Sequence, residues 1–352
     1  MARLPTNVFS PMPLFSAASV AWAVALMVAC GGVGSNYIGH EPITDEDGNT
    51  VLSSPGGEMR ALAVSDQDVF FATGYRGDSQ LWAVGKNGGP TRWVGKPGHN
   101  VEALVVDDTH VYAATWDGIK RFDRKTGTRE KVNRYDGELL EVRAMVDYGD
   151  ELIFTTKTAL YRVSKSIDKP TKIADLETES SWSWALAVDG EYLYFSNRIR
   201  VGRIPLSGGE AETLSSKGQL VERSPMFVTD GYIYIDTSIG DGRRIPLGGG
   251  QEEKPCKYRH HTRGFAVDGD EWFYGASVGH AGGYTESHGS RKVYKTTKGG
   301  GGEGGLMRCF IGQGDKAENL APSAQSVVAI ALEPDAIYWL DTDLGQVVTR
   351  SR

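Results

Sequence analysis

A short motif returns seven times along this chain, and that repeat limits the fold more tightly than any other feature. Ala61-Leu-Ala-Val-Ser comes back as Ala103-Leu-Val-Val-Asp, Ala144-Met-Val-Asp, Ala185-Leu-Ala-Val-Asp, Pro225-Met-Phe-Val-Thr, Gly264-Phe-Ala-Val-Asp and Ala329-Ile-Ala-Leu-Glu, at intervals of 42, 41, 41, 40, 39 and 65 residues. Each copy leads through an Asp/Gly turn into an aromatic and β-branched run such as Val69-Phe-Phe-Ala-Thr, Leu193-Tyr-Phe-Ser-Asn or Ile337-Tyr-Trp-Leu-Asp. A third run follows, exemplified by Val201-Gly-Arg-Ile-Pro-Leu, then a Gly-Gly turn and a short fourth run such as Glu212-Thr-Leu. Four short strands per period of about 40 residues is the pattern of a propeller blade. Helical periodicity is absent, and 45 glycines suit a chain of tight turns. The expected fold is therefore all-β: a seven-bladed β-propeller of four-stranded blades over residues 49–352.

The termini fit that reading. The seventh copy ends at Arg352 after three strands, while Gly48-Asn-Thr-Val-Leu-Ser-Ser matches the fourth-strand segment Gly209-Glu-Ala-Glu-Thr-Leu-Ser-Ser. Residues 49–54 are expected to complete the last blade, which removes both open sheet edges. Residues 30–48 then read as a flexible tether.

The first 29 residues carry one charge, Arg3, and close on an apolar run from Val20 to Ala29. The run is too short to span a bilayer and has the character of a signal-peptide core. Met27-Val-Ala-Cys30-Gly resembles a bacterial lipobox, with Met27 where leucine is usual. Cys30 is the expected lipid attachment point, with plain secretory cleavage or an uncleaved anchor helix as the alternatives. Gly31 after the cysteine favours, by resemblance to other lipoproteins, the outer membrane of the cell envelope. The membrane is then reached through the lipid alone. A net charge of −7 and the absence of any basic run exclude nucleic acid as a partner class. The remaining cysteines, Cys256 and Cys309, fall in segments expected to be outer strands of neighbouring blades. They form either a disulfide or two separately buried thiols.

The unit formed by a Val-Asp turn, Tyr-Leu-Tyr-Phe-Ser-Asn197 and Arg-Ile-Pro-Leu-Ser-Gly-Gly209 resembles YWTD-like propeller lipoproteins of the myxobacterial type. Tyr338-Trp-Leu-Asp341 likewise resembles the YWTD repeats of low-density-lipoprotein receptors, which close with six blades. The resemblance implies a binding or scaffold role more readily than catalysis, and fold by itself does not assign function.

Equivalent positions just before the seven inner strands are Arg60, Glu102, Arg143, Trp184, Ser224, Arg263 and Val328. They are expected to ring one mouth of the central channel. Arginine forks and a tryptophan wall suit a small anionic ligand. The competing reading pairs Arg60, Glu102 and Arg143 across adjacent blades as structural ion pairs. Blade six carries an insertion, residues 277–290, with His280, Tyr284, Glu286 and His288 as further loop candidates on the same face. The long connection from Gly312 to Ser326 is expected to join that face, and the Gly299–Gly305 run to lie on the opposite one as a spacer. No metal-ligand spacing, phosphate loop, dinucleotide fingerprint or Gly-x-Ser-x-Gly occurs, so no metal site and no cofactor are expected. The function expected is a monomeric, lipid-anchored binding or scaffold module for a protein or small anion. The alternative is a metal-dependent hydrolase or lyase at the channel mouth.

Overall fold

The computed structural model describes residues 37–38, 41–74, 77–131, 141–166, 169–176, 185–197, 200–216, 224–237, 242–256, 264–276, 281–288, 291–297, 304–313 and 317–352, with backbone alone for 37–38, 131, 281–288 and 291–297. These residues form seven antiparallel blades, each a meander whose first strand is innermost. Cys30, Trp184, Arg263 and His280 lie outside the described residues.

The burial of each strand follows from its place in the blade. First strands face the channel on one side and alternate, as in Met59–Val64, where every second residue is buried. Second strands are covered by neighbouring blades on both faces, so Asp68–Thr73, His110–Thr115 and Ala336–Asp341 are buried at every position after the first. That double covering is why these segments read as unbroken apolar runs. The hydrophobic core is accordingly divided into wedges. Seven clusters occupy the seven seams between blades, from Phe70 with Val111 in the first to Leu340 with Val69 in the last.

Second strands end on a buried polar residue that caps the turn into the third strand. Thr115 Oγ1 donates to the Gly118 carbonyl at 2.7 Å, and Asn197 Oδ1 accepts from Arg200 N at 2.8 Å. Asp341 Oδ1 accepts from the N–H groups of Asp343 and Leu344 at 3.1 Å each. Blade six has Ala276 at this position. It runs on into an inserted hairpin, Ala281–His288 with Arg291–Thr297.

That insertion shifts the strand order expected for blade six. The third strand is Gly305–Phe310 and the fourth is Ala317–Ala321, so the Gly299–Gly305 run leads into the third strand instead of leaving it. The Gly312–Ser326 stretch likewise contains the fourth strand and is not one long loop. Burial explains the choice: Leu306 and Cys309 supply inward side chains at 0 % and 2 % exposure, whereas Arg291-Lys-Val-Tyr-Lys carries three cations in five residues.

Blade seven closes as its sequence implies. Thr50–Ser53 pairs antiparallel with Gln346–Ser351, with Val51 opposite Val348. Part of the segment read as a tether is ordered against the ring: Ile43–Thr44 pairs with Val51 and Thr50, and Tyr37–Ile38 pairs with Arg92 and Thr91 on the outer edge of blade one. Blade five has three strands, Phe227–Thr229, Tyr232–Asp236 and Gly242–Pro246, followed by a single bridge between Arg244 and Glu253. Just beyond that bridge Cys256 forms a disulfide with Cys309, their Cα atoms 6.3 Å apart. The bond therefore ties the outer segment of blade five to the third strand of blade six.

Candidate ligand-binding site at the channel mouth

The first strands of six blades enclose a cavity of about 280 Å³. Arg60, Glu102, Arg143 and Ser224 stand among its lining residues, as the equivalence of their positions implies. Leu62, Leu104, Met145, Leu186, Met226 and Ile330 supply the apolar part of its wall, which also presents polar groups.

The arginines at the rim pair with carboxylates close by in sequence. Arg60 pairs with Glu58 at 2.7 Å, and Arg143 pairs with Glu141. Both are Glu-x-Arg steps at the entry to the first strands. Glu102 accepts a hydrogen bond from Trp116 Nε1 at 2.7 Å. The same indole carries the Arg143 guanidinium, whose Cζ lies 4.9 Å from the ring centroid. Two arginines thus meet three glutamates and one tryptophan at the described part of the mouth.

Trp116 is the site residue that the ring of equivalent positions does not include. It sits in the turn after the second strand of blade two, and the chain fixes it from both sides. Thr115 Oγ1 donates to Asp117 Oδ1 at 3.1 Å, and Lys120 Nζ donates to Asp117 Oδ2 at 2.5 Å. Burial would raise the Asp117 carboxyl, but the hydrogen bond and charge of Lys120 hold it below the usual carboxylate range. Val142 N donates to the Thr115 carbonyl at 3.0 Å, which sets the start of blade three beside Trp116. Arg143 N then donates to Thr155 O at 2.9 Å. Arg143 is accordingly held by backbone, aromatic and carboxylate contacts, with its side chain 19 % exposed.

Of the blade-six candidates, Tyr284, Glu286 and His288 lie on the inserted strand Ala281–His288, whose side chains fall outside the described residues. Among the described residues no group of three or more His, Cys, Asp or Glu side chains is arranged to hold a metal ion. A second cavity, of about 330 Å³, lies at the closing seam and includes Asp45, Asp341 and Trp339. Its two aspartates are engaged in turn hydrogen bonds, Asp45 with Asn49 and Asp341 with Gln325, Asp343 and Leu344.

No protein-family model and no curated protein matches this sequence. Solved structures do match in fold. A catalytically inactive virginiamycin B lyase from Staphylococcus aureus with quinupristin superposes with a TM-score of 0.60 at 13 % identity, over 86 % of this chain and 97 % of the other. BamB from Moraxella catarrhalis gives 0.53 at 11 %, over 90 % and 99 %. The extracellular domain of BT4673 from B. thetaiotaomicron gives 0.58 at 16 %, over 85 % of this chain and 39 % of that longer one. At these identities the likeness establishes a seven-bladed β-propeller and nothing about its chemistry.

Proposed function

We propose that this protein is an exported, lipid-anchored β-propeller of the cell envelope that binds a ligand or partner at its channel mouth. The observation that carries the binding role is Arg143, held between Trp116 and Glu141 on the wall of a 280 Å³ cavity. Pre-fixed polar groups at the lip of an apolar concavity are what ligand sites need, because little ordering entropy remains to be lost on binding. Export is supported by the Cys256–Cys309 disulfide, which persists in oxidising compartments. Anchoring rests on the apolar segment ending at Cys30. Outer-membrane placement rests on Gly31.

A thermal-shift screen of the detergent-solubilised full chain against peptides, sugars, anionic metabolites and divalent metals tests the binding role. A ligand that raises the melting temperature is expected to lose that effect in Arg143→Ala while the unliganded melt stays near wild type. A chelator that lowers the melting temperature would instead favour a metal-dependent hydrolase or lyase. For the anchor, radiolabelled palmitate is expected to enter the wild type and not Cys30→Ala.

A further inference from the structure

The channel mouth is at the small end of the range for organic ligands, and its described charges are balanced. Sites that enclose a drug-sized molecule occupy about 300–1,000 Å³, and this cavity has about 280 Å³. It has room for one or two aliphatic or aromatic side chains, and its wall matches them. Met145 and Met226 contribute unbranched, adaptable side chains from blades three and five, beside Leu62, Leu104 and Ile330.

The rim adds a second requirement. Arg60 and Arg143 each have a glutamate two residues earlier, and Glu102 is a third carboxylate close by. Among the described residues, a free carboxylate or phosphate arriving here meets two cations but three anions. Its electrostatic gain is largely cancelled, and it still pays full desolvation. A neutral acceptor escapes that repulsion and keeps the hydrogen bond. Arg143 offers such a bond: among the described residues Glu141 is its one ionic partner, and Trp116 holds the plane of the guanidinium without using its donors. The neutral acceptor that accompanies apolar side chains is the peptide carbonyl.

We propose that the channel mouth recognises a polypeptide segment by inserting one apolar side chain into the cavity while a backbone carbonyl beside it accepts from Arg143. The ligand class is thus an internal peptide segment with an exposed apolar residue, as found in an unpaired loop or tail of another envelope protein. This deepens the binding role argued above and rests on it.

Three small probes separate the components: N-acetyl-leucinamide supplies side chain and neutral carbonyls, isocaproate supplies the same side chain on a carboxylate, and N-acetyl-glycinamide supplies carbonyls without a side chain. Each is titrated into the full chain and followed by ligand-observed NMR. The leucine amide is expected to bind saturably, isocaproate about tenfold more weakly, a difference of about 1.4 kcal/mol, and the glycine amide not at all. Ala103→Phe, which fills the cavity from a lining position, is expected to abolish binding. Should that variant fail to fold, Ala329→Phe, on the far side of the same cavity, replaces it. Arg143→Ala is expected to weaken the amide and to weaken isocaproate at least as much, because Glu141 is then left without its cation. Isocaproate binding equal to or tighter than the amide, still lost in Ala103→Phe, would overturn the peptide class and leave the mouth as the binding site. Binding of no probe, or binding indifferent to both the cavity-filling variant and Arg143→Ala, would overturn the peptide class and the binding role together.

Discussion

Two seams of the ring solve the same problem by different means. At blade seven the chain lacks a fourth strand of its own and takes one from the other terminus, with Val51 and Leu52 buried at 4 % and 1 % exposure. At blade five the outer edge is reduced to the Arg244–Glu253 bridge, and a covalent bond from Cys256 to blade six stands where ladder hydrogen bonds are few. A closed ring needs every edge paired or covered. The contrast teaches that strand exchange secures the seam that joins distant parts of the chain, while a disulfide suffices between consecutive blades.

Removing the exchanged strand is the most severe way to break this comparison. Deletion of residues 43–53 is expected to abolish cooperative unfolding, because it exposes the edge of Gln346–Ser351 and opens the cluster of Leu52, Val69 and Leu340. Circular dichroism melts and size-exclusion profiles read this directly. A deletion variant that melts as the wild type does would remove closure from the account.

The disulfide is expected to matter less. Its sequence separation of 53 residues corresponds to about 4 kcal/mol of loop entropy, and native disulfides commonly yield about 2–4 kcal/mol. Cys309→Ser should lower the denaturant midpoint by a corresponding amount. The same loss should appear in the wild type under reductant and be absent when reductant is added to the variant. A loss as large as that of the deletion would show that the two seams are not ranked as described.

The smallest effect is alkaline and touches both seams. Burial pushes the hydroxyl of Tyr274, in the blade-six seam, up to about 12. Burial, reinforced by Glu333, raises Tyr338 of the closing seam to about 12 as well. Both folded values exceed the unfolded value near 10. The contribution of these groups is therefore complete below about pH 10 and is lost as pH rises from there through about 12. Tyr274→Phe and Tyr338→Phe should each flatten part of that alkaline decline in denaturant titrations. An unchanged slope in either variant would place that tyrosine outside the effect.

How much of this was legible from the sequence depended on whether the feature repeats. The seven inner strands, the apolar second strands and the exchanged fourth strand all follow from alignment of the copies with one another. The rim pairs were also legible, since Glu58-Met-Arg60 and Glu141-Val-Arg143 share one spacing, but a comparison restricted to the position just before each inner strand passes over them. Trp116 could not be found by repetition, because it is specific to blade two. Its signal was a large aromatic residue placed after the capping Thr115 in a turn otherwise made of Asp and Gly. In blade six the β-like run Arg291–Thr297 imitated a third strand, and only the need for buried partners at Leu306 and Cys309 decides the order. The pairing of the cysteines likewise depended on which strand of blade six carried Cys309.

The mouth of the channel is the proposed place of binding. The indole N–H resonance of Trp116, assigned through Trp116→Phe, reports that place directly, and the exposed Trp93 on the outer edge of blade one serves as an internal control at 47 % exposure. Addition of N-acetyl-leucinamide is predicted to shift the Trp116 resonance saturably and leave Trp93 unmoved. A static Trp116 signal, or a shift confined to Trp93, would contradict the account.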